Sequence, residues 1–157
     1  MTVRPDPALR PTTLVWIDTE EAVVLRWQAG AEVRRLRSEV PPRHRSTGHV
    51  RHDPRIRAGG GGVPDDGLER RRRLLLDKFL DEVAGLVPPD DRAVIIGPGP
   101  VREHLAEALR ADDRHHGRLR PVETEPAGAL TEPQLIAMLR RLAGAPPVRR
   151  LPASAAS

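Results

Sequence analysis

The sequence predicts an α/β domain in which helices pack on a mixed sheet. Three stretches carry that expectation. RAVIIGPGP (residues 92–100) is a β-branched run that enters a Gly-Pro turn and then a helical pattern. That order is half of a βαβ unit, and a continuous apolar run reads as a strand buried on both faces. TLVWIDTEEAVVLRWQ (residues 13–28) holds two apolar runs with so short a connection that they form a hairpin. Leu68, Leu75, Leu76, Phe79, Leu80, Val83, Leu86 and Val87 recur at helical spacing.

Taken in order, residues 1–12 are proline-rich and are expected to form a flexible arm. Strands follow at 13–18 and 21–28, and a weaker one at 31–40, whose arginines suit a sheet edge. Residues 41–67 contain Pro41-Pro42, Asp53-Pro54 and Gly59-Gly60-Gly61-Gly62, and read as a long functional loop. The first helix is expected to start with Asp66 as N-cap and Glu69 as its capping-box partner, and to stop at Pro88-Pro89. Arg70–Arg73 sit near its N-terminus, where cations oppose the helix dipole. The strand of the 92–100 stretch comes next and is expected at the centre of the sheet.

A second helix then buries Val101, Leu105, Ala108 and Leu109, and residues 112–117 (DDRHHG) read as a polar turn. Residues 118–124 form a short strand that Pro121 places at an edge. The last helix has Thr131 as N-cap, Gln134 as box partner, Leu135, Met138, Leu139 and Leu142 as its apolar face, and Gly144 as its stop. Residues 144–157 read as a disordered tail. The order β-β-β-α-β-α-β-α is that of a ribonuclease-H-like mixed sheet, with one domain over residues 13–143.

A chain of 157 residues is long enough for one core, which here must be aliphatic: it has one Phe, two Trp and no Tyr. No Cys is present, so disulfides and thiolate metal sites are excluded. The first residues show no signal peptide, and no apolar run approaches a membrane span, so a cytoplasmic location and no membrane partner are expected. Lys78 is the lone lysine; every other fixed cation is Arg. Genome composition is the simpler source of that bias, although Arg also forks onto phosphate oxygens.

The net charge of +4 can be assigned to residues 41–57 alone, which set five arginines against Asp53. Arg43, Arg45, Arg51, Arg55 and Arg57, with His44, His49 and His52 among them and Gly59, Gly60, Gly61 and Gly62 behind, form a segment able to follow a phosphate backbone. Aromatic interleaving is absent, which argues against readout by base stacking. A solvated loop is the competing reading.

The three histidines match no metal-ligand spacing, and the arginines around them repel a cation, so no metal is expected there. Other candidates are weaker. In Gly97-Pro98-Gly99-Pro100 the prolines lack the N–H groups of a phosphate cradle, which leaves a structural turn. A metal-dependent nuclease of this fold needs clustered carboxylates; Asp18 at the end of the first strand, with Glu20, Glu69 and Asp91, is the candidate set, but nothing in the sequence fixes a cluster and Asp18 also suits its turn. Nothing like a nucleophile elbow occurs. No catalytic residue, metal or cofactor is therefore assigned.

The strings VWIDTEEAVVLRW, PPRHRSTGHVRHD, LLLDKFLDEVAGLV, VIIGPGPVREHL and TEPQLIAMLRRL, in that order of elements, resemble the middle domain of the archaeal and eukaryotic class-1 release factors and Pelota. They are especially similar to small bacterial relatives described as translational machinery proteins. The resemblance covers roughly residues 13–143. In release factors the loop between the third strand and first helix carries Gly-Gly-Gln, which enters the peptidyl-transferase centre. Here that loop reads Arg57-Ala58-Gly59-Gly60-Gly61-Gly62-Val63, without the glutamine. The resemblance thus implies the fold and an association with the ribosome through ribosomal RNA or tRNA; it carries over no catalytic role. A nuclease or peptidyl-tRNA esterase, and a stress-associated protein-interaction module, are the alternatives.

Overall fold

The computed structural model describes residues 11–41 and 66–144. The expected loop over 41–67 falls almost wholly outside the described residues, as do nearly all of the N-terminal arm and the tail. Eight elements follow in the expected order: β1 (Thr12–Ile17), β2 (Glu21–Trp27), β3 (Ala31–Arg37), α1 (Asp66–Gly85), β4 (Arg92–Gly97), α2 (Val101–His115), β5 (Val122–Pro126) and α3 (Glu132–Leu142). They build one five-stranded mixed sheet in the order β3-β2-β1-β4-β5. The pairs β1–β2 and β2–β3 are antiparallel; β1–β4 and β4–β5 are parallel.

Strand alternation sorts the interior side chains to two faces. Val15, Ile17, Ala22, Val24, Ala93 and Ile95 point one way and pack on Phe79, Leu80 and Val83 of α1 and Leu105 and Leu109 of α2. Leu14, Trp16, Val23, Leu25, Val94 and Ile96 point the other way and pack on Leu135 and Leu139 of α3. With helices on both faces, both phases of β1 and β4 are apolar, which is why those strands read as continuous runs. Trp16 keeps its polar atom satisfied: Nε1 donates to the Gly128 carbonyl at 2.9 Å. α3 opens with the expected capping box, Thr131 N–H donating to Gln134 Oε1 at 2.9 Å and Gln134 N–H to Thr131 Oγ1 at 3.3 Å.

Several boundaries differ from expectation. β4 is interior, but the middle strand is β1. β3 is an edge strand as expected, yet ends at Arg37. Ser38 N–H then bonds the Glu20 carbonyl at 2.8 Å, and Val40 turns inward to a buried position. α1 begins at Asp66, which is therefore its first residue, and stops at Gly85. α2 runs through the expected polar turn as far as His115.

The reason for the longer α2 is Asp113, which continues the i, i+4 series Val101, Leu105, Leu109 onto the buried side. Its carboxylate accepts from Arg120 Nε at 2.9 Å, and both side chains are nearly inaccessible, at 6% and 3% exposure. Arg120 Nη1 also donates to the carbonyls of Val87 and Pro88. This clamp ties the end of α2 to the turn after α1; β5 starts at Val122, later than expected, with the Pro121 carbonyl just before it accepting from Ala93 N–H at 2.9 Å.

The turn after β4 is structural. Gly97 has φ +151° and lies against β1, where an added Cβ would sit 2.1 Å from the Ile17 carbonyl oxygen. Gly99 has φ +68° with open space around it. Gly97→Ala is therefore expected to cost about 3 kcal/mol or more, since backbone strain and a clash with main chain add. Gly99→Ala should cost about 1 kcal/mol, from its left-handed backbone alone. Chemical denaturation of the two variants checks the order; equal costs would remove the close approach as the cause.

Candidate nucleic-acid interface

The carboxylates proposed for metal chemistry are not brought together. Asp18 Oδ1 accepts from the backbone N–H groups of Glu20 and Glu21 at 2.8 and 2.7 Å, which makes it the organiser of the β1–β2 turn. Asp91 lies at the opposite end of β1. It is fully buried and accepts from Thr13 Oγ1 at 2.8 Å, Arg26 Nε at 2.8 Å and Arg26 Nη2 at 3.1 Å. The Arg26 guanidinium is held above its ordinary value, first by that hydrogen bond to Asp91. Thr13 and Asp18 are five residues apart along β1, so roughly 16 Å separates the two carboxylate neighbourhoods. Glu69 lies in the first turn of α1. Among the described residues no three His, Asp or Glu gather to hold a metal ion.

The predicted binding residues Arg43, His44, Arg45, His49, Arg51, His52, Arg55, Arg57 and Gly59, Gly60, Gly61 and Gly62 lie outside the described residues. The two points from which that segment departs are described. On one side, Arg37, Ser38 and Glu39 follow the edge strand. On the other, Leu75, Lys78 and Phe79 of α1 close a shallow groove against them. Lys78 Nζ reaches Glu39 Oε2 at 3.5 Å across it.

α1 continues N-terminally beyond that groove. From Leu75 back to Asp66 is nine residues, about 13 Å of helix. Leu68 continues the apolar stripe of Phe79 and Val83 around the helix axis, but is 62% exposed, because no described part of the fold reaches that far. Sequence periodicity placed it in the core. Leu74 is 64% exposed on the outer side. Arg70, Arg71 and Arg73 are exposed, and Arg72, which faces the same way as the core stripe, is half-buried.

The arginines of the sheet edge behave differently. Arg34 bonds Glu32 at 3.1 Å. Arg35 bonds Glu132 at 2.8 Å, which raises its affinity for its proton further and fastens β3 to α3. On the far face Arg140 lies over the Trp27 ring, 5.2 Å from its centroid. The sequence showed the run Arg70–Arg73 plainly. Its position beyond the sheet depends on where the strands stop, which periodicity along the helix does not report.

No protein-family model matches the chain, and the search of curated proteins found no match. Solved structures similar to it include Pelota from Thermoplasma acidophilum (15% identity, TM-score 0.45, 89% of this chain and 35% of that one). Pelota from Archaeoglobus fulgidus is similar at 12% identity and TM-score 0.46, over 87% of this chain and 34% of that one. An archaeal translation termination factor is similar at 16% identity and TM-score 0.49, over 85% and 37%. The chain spans about a third of the length of each.

The geometry assigns the two aspartates structural work of different weight. Asp91→Ala strips the partner from a largely covered guanidinium and from Thr13, and is expected to cost about 3 kcal/mol. Asp18→Asn keeps an acceptor oxygen for the turn and should cost under about 1 kcal/mol. Thermal and denaturant unfolding read both; a severe loss of stability in Asp18→Asn would show that its charge does more than organise the turn.

Proposed function

We propose that the chain is a non-catalytic, translation-associated module that grips the phosphate backbone of ribosomal RNA or tRNA with residues 43–62. The observation that carries this reading is the distribution of charge. One segment, joined to the edge strand β3 on one side and to α1 on the other, holds the equivalent of the chain's whole net charge of +4. The arginines of Arg43, Arg45, Arg51, Arg55 and Arg57 meet phosphate oxygens, and Gly59–Gly62 let the backbone approach closely. His44, His49 and His52 add positive charge as pH falls toward their ordinary range.

The resemblance to release-factor and Pelota middle domains supports the same placement. In release factors the loop at this place in the element order carries the Gly-Gly-Gln that enters the peptidyl-transferase centre, and this chain keeps arginine and glycine there while lacking the glutamine. The described residues give the nuclease alternative no carboxylate set, because Asp18 is engaged in a turn and Asp91 in a buried ion pair. No helix among them is long and apolar enough to cross a membrane.

Replacing Arg51, Arg55 and Arg57 together by Ala is expected to weaken binding to a ribosomal RNA fragment about tenfold or more at low salt. The slope of log affinity against log salt should become shallower by about two. Fluorescence anisotropy titrations at several salt concentrations measure both. Sedimentation of tagged protein with ribosomes at low salt is the companion test: protein that stays at the top of the gradient while ribosomes pellet would end the ribosomal reading.

A further inference from the structure

The N-terminal turns of α1 carry exposed cations beyond the packed core. They project about 13 Å past the groove where α1 meets the end of β3. They carry Arg70, Arg71 and Arg73, all exposed, and no ion pair links any of these to a described residue, whereas Arg34, Arg35, Arg92, Arg114, Arg118 and Arg120 each hold a carboxylate. Positive charge at a helix N-terminus works against the helix dipole, so this placement costs the isolated fold a little stability. An anion at the tip reverses that sign.

Helical geometry narrows what the anion is. At about 100° per residue, Arg71 and Arg73 fall on opposite flanks of the helix, with Arg70 between them on the outer side. The outer side turns acidic further along the helix, at Asp77 and Asp81, both exposed. A partner lying along the helix would meet those carboxylates, so the basic tip is met end-on. Leu68 and Leu74 lie about 120° apart around the helix with the exposed Arg71 midway between them, so no continuous apolar face exists with which to lie on a lipid surface. Arginines on both flanks of a rod about 10–12 Å wide suit phosphates on two sides of a cleft, as a folded RNA presents and an extended single strand does not.

We propose that the tip of α1 is a second RNA contact, in which Arg70, Arg71 and Arg73 clasp phosphates on two sides of a cleft in folded RNA. It rests on the RNA-binding reading above and extends it from residues 43–62 to the helix that follows.

The test uses the full chain, a labelled RNA hairpin with an internal loop, an oligouridine of equal length and phosphatidylglycerol vesicles. Arg70→Ala/Arg71→Ala/Arg73→Ala is compared with the wild type and with the Arg51/Arg55/Arg57 variant. The tip variant is expected to unfold at the same temperature or slightly higher, since no described ion pair is lost. Its hairpin affinity should fall about tenfold at low salt, with a salt slope shallower by about two and a smaller loss on oligouridine. Unchanged hairpin affinity, while the Arg51/Arg55/Arg57 variant is impaired, overturns the tip contact and leaves the segment standing. Equal losses on hairpin and oligouridine overturn the cleft, and loss of vesicle binding without loss of RNA binding overturns RNA as the partner. A wild type that binds neither RNA ends both readings.

Discussion

The fold depends on the parallel pairing of β1 with β4. It joins two halves that are otherwise built on different principles: a meander of hairpins in the first part of the chain, and helices alternating with strands in the second. The register runs from Thr12 opposite Arg92 to Trp16 opposite Ile96. Each end is pinned by something other than the ladder. At the start, Arg92 N–H donates to the Pro11 carbonyl at 2.8 Å, and Asp91 draws in Thr13 from β1 and Arg26 from β2. At the finish, Gly97 rests against the Ile17 carbonyl where a side chain has no room. A slip of one residue would exchange the two apolar faces of β4, present Asp91 to the wrong strand and drive a Cβ into the main chain.

That constraint explains which parts of the fold were legible in sequence. β1 and β4 carry apolar side chains on both faces, so their runs needed no tertiary knowledge to be read. α3 announced itself through Thr131 and Gln134, whose reciprocal hydrogen bonds are local. The errors have a common origin in contacts made outside the element being read. Asp113 looks like a turn residue until Arg120 is known to reach it, and with that pair in place α2 is longer and β5 starts later. Leu68 looks like core until the sheet is seen to end before it.

The candidate interface divides along the same line. The basic segment was legible from composition because charge needs no partner within the chain to be counted. The role of Arg70–Arg73 was not, since the same residues are a local defect of a helix terminus or an outward contact depending on what surrounds them. In the body, arginine is chiefly a fastener: Arg26 to Asp91, Arg35 to Glu132, Arg92 to Glu123, Arg120 to Asp113. The first three join elements distant in sequence, and the fourth closes the end of α2 onto the connection that follows it. An arginine-rich composition therefore has two separate physical meanings in one chain, and only pairing distinguishes them.

Pairing also accounts for where the two meanings meet. The sheet ends at β3, an edge strand whose charges Arg34 and Arg35 are matched by Glu32 and Glu132. Beyond it, Lys78 and Glu39 meet across the groove beside the middle of α1, and past that point Arg70, Arg71 and Arg73 form no ion pair with a described residue. Matched charge thus gives way to unmatched charge at the boundary where the packed core stops. A rigid helix anchored by Phe79, Leu80 and Val83 in the core carries the unmatched part outward. The anchoring matters for binding, because an arginine on a fixed helix loses less freedom on meeting a phosphate than one on an unanchored chain. The stability of the sheet and the proposed phosphate contact at the tip therefore share one element, α1, with the packed half setting the position of the charged half.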